Sequence, residues 1–184
     1  MDALDAIVID GRSGSGKTSL ADLLIRRFAG VGRDAQVLRV EDLYPGWDGL
    51  DAGSAAVASA LETGSYRRYD WTAGHFGETV RIDPALPLIV EGCGAVTSEN
   101  LRALTDWVRR VDPALPDPAP LDRAPAAPRI WSVWLELPAE ERRLRALERD
   151  GATFAPHWQR WADQEDTHYA AHTPWELVDE VLRG

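Results

Sequence analysis

The chain has 184 residues, of which 45% are hydrophobic, and this length and composition fit one soluble domain with a single core. Its formal net charge of −10 argues against broad contact with nucleic acid or an anionic membrane, because both partners need a cationic surface. No apolar run is long enough to cross a bilayer, the acidic N-terminus is unlike a targeting signal, and one cysteine permits no internal disulfide, so we expect a cytoplasmic protein.

The first predicted elements are a strand and a helix joined by a glycine-rich loop. Residues 6–9 form a β-branched run typical of a buried parallel strand, and residues 18–28 carry apolar side chains at helical spacing. Between them, residues 11–18 read Gly-Arg-Ser-Gly-Ser-Gly-Lys-Thr, a complete match to the phosphate-binding pattern GxxxxGK[ST]. In this setting, backbone N–H groups and the helix N-terminus converge on phosphate oxygens. We therefore predict a nucleoside triphosphate site.

The residues predicted to bind the nucleotide lie within this loop or beside it. Lys17 is the only lysine of the chain, and its compact ammonium fits between the β- and γ-phosphates where a planar guanidinium does not. The Thr18 hydroxyl can ligate Mg²⁺. The other predicted phosphate-binding residues are Gly11, Ser13, Gly14, Ser15, Gly16 and Ser19.

Strand-like and helix-like segments alternate along the rest of the chain. Strands are predicted over 36–40, 88–90 and 130–137, and helices over 52–62, 98–108, 139–150 and 157–172, with Ser98 as the cap of the second of these helices. Residues 176–182 fit a strand or a helix. This order predicts an α/β fold of the P-loop NTPase type, a three-layer sandwich whose mostly parallel sheet is flanked by helices. Residues 111–129 hold six of the twelve prolines and are expected to form an irregular loop within one domain spanning 1–184.

Carboxylates follow two of the predicted strands, at the sheet edge where open α/β sheets bind ligands. Glu91 follows the strand at 88–90 and is a candidate for holding Mg²⁺ through water or for a hydrogen bond near the phosphates. Glu41 and Asp42 follow the strand at 36–40, and either can be the base that takes a proton from an acceptor hydroxyl. Residue type and spacing leave both possibilities open.

Further candidates are aromatic or basic. Trp47 and Trp71 are predicted to lie in loops beside the acceptor site, where an indole can stack on a base. Arg67 and Arg68 precede Tyr69 and can hold an anionic or hydroxylated acceptor. Three arginines of the helix at 139–150 share one face and can clamp the triphosphate, or they can pair with glutamates on a surface helix. These are Arg142, Arg145 and Arg149.

Taken together, these elements resemble the uridine kinase-like P-loop nucleoside kinases. The likeness rests on the phosphate loop, the acidic element Glu41-Asp42-Leu43-Tyr44, the segment from Tyr69-Asp70-Trp71 to His75, the strand that ends in Glu91-Gly92, and the arginine-rich helix. The resemblance implies an ATP-dependent kinase that uses Mg²⁺ and transfers the γ-phosphoryl group to a hydroxyl of a nucleoside-like acceptor. Because the chain is shorter than typical members, we expect less room for a substrate-binding hairpin.

The resemblance also implies roles for individual residues. The catalytic residues would be Lys17, Glu41 or Asp42, Arg145 and Arg149. Arg142 would bind the nucleotide, and Thr18 and Glu91 would bind the metal. The acceptor would be contacted by Tyr44, Trp47, Arg67, Tyr69, Asp70, Trp71, His75 and Glu91.

Other functions remain open from the sequence. The stretch from Ile9 to Lys17 also resembles the loop of cytidylate-type nucleotide kinases, and kinases of other metabolites fit as well. A regulatory ATP-binding protein or ATPase without a small acceptor is the alternative outside this class. The expected partner is a small molecule, with no nucleic acid or membrane, and an oligomer is possible.

Overall fold

The computed structural model describes residues 5–111 and 129–184, and a parallel sheet forms its centre. The strands of the described residues are, in chain order, β1 (Ala6–Gly11), β2 (Gln36–Arg39), β3 (Ser65–Asp70), β4 (His75–Arg81), β5 (Leu88–Glu91), β6 (Ile130–Glu136) and β7 (Glu180–Arg183). Five of them pair in the order β2-β5-β1-β6-β7, and every neighbouring pair is parallel. The C-terminal segment, for which the sequence left two possibilities, is therefore a strand.

Helices cover both faces of this sheet. They are α1 (Lys17–Gly30), α2 (Leu50–Thr63), α3 (Ser98–Val111), α4 (Ala139–Phe154) and α5 (Trp158–His172). Side chains alternate between the two faces along a strand, so Ile7 and Ile9 of β1 pack with α1, whereas Ala6 and Val8 belong to the cluster that contains α2 and α3. The predicted three-layer α/β sandwich is confirmed.

The element boundaries differ from the expectations in small ways. Thr97, not Ser98, caps α3, since its hydroxyl accepts a hydrogen bond from the Asn100 N–H at 3.1 Å. Helix α4 extends beyond residue 150 and is interrupted at Gly151, whose φ of 53° and ψ of −129° are not helical. No helix within 5–111 or 129–184 combines the length and apolar character that a membrane span requires. The proline-rich segment at 112–128 lies outside the described residues.

The segment around Tyr69, to which the sequence analysis assigned no strand, forms an antiparallel hairpin of β3 and β4, with Trp71 in the turn between them. Most of its side chains are exposed on both faces, so the segment lacks the alternating apolar pattern by which a strand is recognised. Local hydrogen bonds stabilise it instead. Asp70 Oδ1 accepts from the N–H groups of Thr72 and Ala73 at 2.9 Å each, and Gly74, with φ of 72°, closes the turn.

Candidate active site

The glycine-rich loop joins β1 to α1 and has the backbone geometry of a phosphate cradle. Gly14 and Gly16 have φ of 80° and 95°, in the region that favours glycine. A Cβ at Gly14 would lie 2.0 Å from the Arg142 carbonyl oxygen, so no larger residue fits there. The Ser15 hydroxyl is buried and has no hydrogen-bond partner among the described residues. The loop therefore fits a triphosphate, which would satisfy that hydroxyl and the N–H groups at the start of α1.

Lys17 lies folded against the loop. Its Nζ donates to the carbonyl oxygens of Gly11 at 2.7 Å and Arg12 at 3.1 Å, and it lies 3.4 Å from the Cys93 Sγ. Burial alone would lower the pKa of Lys17, but nearby acidic groups, with Cys93 and Glu165 foremost, raise it above its ordinary value. The ammonium is thus charged at neutral pH and lies beside the cradle.

Asp10, near the end of β1, stabilises the start of the phosphate loop, a role that the sequence analysis did not assign to it. Its buried carboxylate accepts hydrogen bonds from the N–H groups of Gly11 at 2.6 Å and Val96 at 2.8 Å, and from the Tyr169 hydroxyl at 2.9 Å. Burial raises the pKa of Asp10 to about 6, although the backbone donors oppose this. One side chain thereby connects the end of β1, the turn after β5 and helix α5.

Glu165 of α5 holds the loop from its other side and was also missed. Its Oε1 accepts the Ser13 N–H at 2.6 Å, and its Oε2 lies 3.8 Å from Arg12 Nη1 and 3.9 Å from Arg142 Nη1. The side chain is only 2% exposed. Its position in a charge-rich helix gives no sequence signal, because such residues usually face solvent.

Thr18 and Glu91, the two residues predicted to hold the metal, contact each other beside the loop. The Thr18 hydroxyl donates to Glu91 Oε1 at 3.3 Å, and Arg39 Nε lies 3.4 Å from the same oxygen. Burial raises the pKa of Glu91, an effect that Lys17 and Arg39 partly offset. Within 5–111 and 129–184 no group of three or more His, Cys, Asp or Glu side chains could hold a metal alone. The oxygens present fit Mg²⁺, which is usually held by one or two protein ligands together with phosphates and water.

A cavity of about 210 Å³ opens over the loop and gathers the predicted groups. Its polar lining includes Lys17, Thr18, Glu41, Glu91 and Arg149. Its aromatic lining comes from Tyr44, Trp47, Trp71, Phe154 and Trp161. Phosphate-binding groups, carboxylates and an aromatic wall therefore share one space.

The two acidic residues after β2 have different surroundings. Glu41 is exposed and lines the same cavity as Lys17. Asp42 Oδ2 accepts from the Tyr66 hydroxyl at 3.2 Å and from Arg68 Nε at 3.1 Å, and so ties the hairpin to the end of β2. Asp42 lines an adjoining cavity that does not include the phosphate loop. Of the two carboxylates, only Glu41 is among the residues that line the cavity over the phosphate loop.

The hairpin residues of the predicted acceptor site are largely engaged within the hairpin. Arg67 donates to the carbonyl oxygens of Phe76 and Gly77, and it lines neither cavity. Arg68 pairs with Asp42 and, at 2.5 Å, with Glu78.

The other residues that were predicted to contact the acceptor lie in three different environments. Tyr69 and Asp70 line the adjoining cavity, where Asp70 also caps the hairpin turn. His75 is exposed and lines neither cavity. Tyr44 is buried in the main cavity wall and donates its hydroxyl to the Cys93 carbonyl oxygen at 2.7 Å. The structure thus brings Tyr44, Trp47 and Trp71 to the loop and leaves His75 outside.

The three arginines of α4 that were predicted to act together lie in different environments. Arg149 lines the main cavity. Arg145 is exposed and pairs with Glu141 at 2.5 Å. Arg142 is buried behind the loop and donates to the carbonyl oxygens of Leu137 at 3.1 Å and Ser13 at 3.3 Å. The shared helical face therefore does not give the three arginines a shared environment.

Several solved structures with a similar fold are described as kinases. The chain is similar to a possible uridine kinase from Bacillus stearothermophilus, with 17% identity, 98% of this chain and 89% of that chain covered, and a TM-score of 0.53. A second match is a putative fructose transport system kinase from Silicibacter sp. TM1040, with 17% identity, 92% of this chain and 79% of that chain covered, and a TM-score of 0.47. A third is the APS kinase of Mycobacterium tuberculosis, with 14% identity, 85% of this chain and 76% of that chain covered, and a TM-score of 0.46. No family model matches the sequence, and no curated protein does. At this identity the likeness to the possible uridine kinase shows the fold alone.

Proposed function

We propose that the protein is an ATP-dependent kinase that phosphorylates a hydroxyl of a small molecule. The observation that carries this proposal is the single cavity lined by the phosphate loop, by the Thr18 and Glu91 pair, by Glu41 and by an aromatic wall. A protein that only bound or hydrolysed ATP would not need a walled space next to the phosphates. The kinase fold of the similar solved structures agrees with this function.

The nucleotide side is formed by residues of the loop. ATP with Mg²⁺ supplies the transferable γ-phosphoryl group. The loop N–H groups and Ser15 would bind phosphate oxygens, Lys17 would neutralise phosphate charge, and Thr18 with Glu91 would hold the metal. Lys17 must turn away from the carbonyl oxygens of Gly11 and Arg12 to reach the phosphates, and this exchanges two neutral acceptors for charged ones.

Glu41 is the proposed general base. It accepts the proton of the acceptor hydroxyl while that oxygen bonds to the γ-phosphorus, and the bond from phosphorus to the bridging oxygen breaks as ADP leaves. Asp42 serves as a positioning residue, since its carboxylate is engaged by Tyr66 and Arg68. Arg149, which lines the cavity, neutralises charge that develops during transfer.

The resemblance of the sequence to uridine kinase-like proteins makes a nucleoside the first acceptor to test. ADP release from ATP–Mg²⁺ would be measured with panels of nucleosides, nucleotides, sugar acids and neutral alcohols. We expect ADP formation that depends on an acceptor and that disappears in Lys17→Ala while the circular dichroism spectrum is retained. Slow hydrolysis that no acceptor stimulates, or unchanged turnover in folded Lys17→Ala, would overturn the kinase function.

A further inference from the structure

We propose that the indole N–H groups of Trp161 and Trp71 donate hydrogen bonds to the phosphoryl acceptor. The acceptor then carries, besides the hydroxyl that is phosphorylated, at least one further oxygen that accepts a hydrogen bond, such as a carbonyl or carboxylate oxygen. This inference rests on the proposed kinase function, and it names a chemical class of acceptor and two residues that select it. Trp161 is not among the residues that the sequence predicted for the site.

The first observation is a cluster of buried donors without partners. Buried polar groups almost always have hydrogen-bond partners, so the exceptions are informative. Four buried side-chain nitrogen or oxygen atoms of the described residues lack a partner there, and one of them is the Ser15 hydroxyl of the phosphate loop. Two others are the Nε1 atoms of Trp71 and Trp161, and both residues line the cavity over that loop. An indole nitrogen can only donate, so a ligand satisfies it only with an acceptor atom.

Trp134 shows the same group in a different setting. It is buried and lines neither cavity, and its Nε1 donates to Glu136 Oε2 at 2.8 Å. A buried N–H without a partner costs the free energy of removing that group from water. Two such costs occur at residues that line one cavity, and a molecule bound in that cavity can remove both of them.

The indole of Trp161 is held in place by its neighbours. The buried ring packs edge to face against Tyr44 with centroids 4.9 Å apart, and the Tyr44 hydroxyl donates to the Cys93 carbonyl oxygen at 2.7 Å. One turn further along α5, Glu165 accepts the Ser13 N–H at 2.6 Å, so the helix that carries Trp161 is tied to the phosphate loop. A donor fixed in this way loses little conformational freedom when a ligand binds.

Trp71 supplies the second donor from the turn of the hairpin. Its ring contacts Trp47 at 4.9 Å and the edge of Tyr69 at 5.2 Å, and it lines both the main and the adjoining cavity. Arg149 also lines the main cavity. Neutral and anionic oxygens are therefore both compatible with the site, and the experiment distinguishes them.

The experiment compares matched alcohols with the full-length chain and ATP–Mg²⁺. Benzyl alcohol, 4-(hydroxymethyl)benzamide and 4-(hydroxymethyl)benzoate share a ring and a hydroxyl but differ in the further oxygen, and uridine is the fourth compound. We expect the best of the three oxygen-bearing compounds to exceed benzyl alcohol by about tenfold or more in kcat/KM, measured as ADP release. The amide and the carboxylate show whether a neutral or an anionic oxygen is preferred. Benzyl alcohol that performs as well as the best of the others would overturn the proposal.

NMR of the indole groups separates this inference from the kinase function. In ¹⁵N-labelled protein with ADP–Mg²⁺, the Nε1–H proton of Trp161 should move downfield when an oxygen-bearing compound binds, and more than the Cδ1–H of the same ring, which ring currents also shift. The resonance of Trp175 should not move. If none of the compounds shifts the Trp161 N–H, the proposal is overturned even when one of them is phosphorylated. If the N–H shifts but no compound stimulates ADP release, the kinase function fails and the donor site stands.

Variants test whether the N–H group or the ring provides the binding. Trp161→Phe keeps an aromatic ring and removes the donor, so the affinity for the best oxygen-bearing compound should fall by about tenfold while that for benzyl alcohol and ATP changes little. Trp175→Phe is the matched control, because Trp175 is 39% exposed and lines neither cavity. If Trp161→Phe does not fold, Trp71→Phe is the second variant. Equal losses for benzyl alcohol and the oxygen-bearing compound would assign the effect to ring packing and refute the proposal.

Discussion

Replacing Glu165 by glutamine isolates the effect of one buried charge on the phosphate loop. Glutamine keeps an oxygen for the Ser13 N–H, which donates to Glu165 at 2.6 Å, but it removes the negative charge near Arg12 and Arg142. The Arg142 side chain is 10% exposed and would be left with less compensation. Loss of a charge-assisted hydrogen bond together with a buried counter-charge predicts a decrease in the free energy of unfolding of about 2–3 kcal/mol.

Asp166→Asn is the matched control. Asp166 lies closer to Arg12 than Glu165 does, at 2.6 Å against 3.8 Å, but its side chain is 71% exposed whereas that of Glu165 is 2% exposed. Solvent screens the exposed pair, so we expect this variant to lose less than about 1 kcal/mol. Urea unfolding at pH 7, monitored by tryptophan fluorescence, gives the free energy of unfolding of both variants. If Asp166→Asn loses as much stability as Glu165→Gln, then the distance of a carboxylate from Arg12 matters more than its burial, and the reasoning is refuted.

Three further predictions concern the base, the arginines of helix α4 and the pH dependence of stability. Glu41→Gln should slow single-turnover transfer by about 10² to 10⁴-fold at nearly unchanged ATP affinity, and Asp42→Asn should slow it much less; similar effects of the two would remove Glu41 as the base. Arg149→Ala should lower the transfer rate while Arg145→Ala, which loses only a surface pair, stays near wild type in the same assay. The pKa of Asp10 is about 6 in the folded chain and 3.8 ordinarily, so the folded state binds more protons between these values. The unfolding free energy of wild type relative to Asp10→Asn should therefore fall by about 2 kcal/mol as pH rises from 4 to 7, and a pH-independent difference in urea titrations would contradict this assignment.

The parts of the site that the sequence predicted lie in contiguous motifs. The loop at 11–18 could be predicted because its strand, glycines, lysine and helix are adjacent in the chain, and their geometry follows from local backbone rules. Glu91 was found in the same way, since a carboxylate directly after a parallel strand reaches the ligand-binding edge of the sheet. The alternation of elements likewise predicted the α/β sandwich. The hairpin was missed because its side chains are exposed on both faces and leave no apolar period.

By itself, the sequence determined the α/β layers, the phosphate loop and the carboxylates at the sheet edge, because periodicity and short motifs act through neighbouring residues. Only the tertiary structure decided what residues from distant segments do. Glu41 and Asp42 are adjacent and chemically alike, yet Glu41 lines the cavity over the phosphate loop, whereas Asp42 accepts hydrogen bonds from Tyr66 and Arg68 of the hairpin. Arg142 and Arg149 share a helix, yet one is buried behind the loop and the other lines the cavity. The environment of a side chain, and hence its charge and its partners, depends on which elements pack against it, and contacts such as that between Glu165 and Ser13 join residues 152 positions apart.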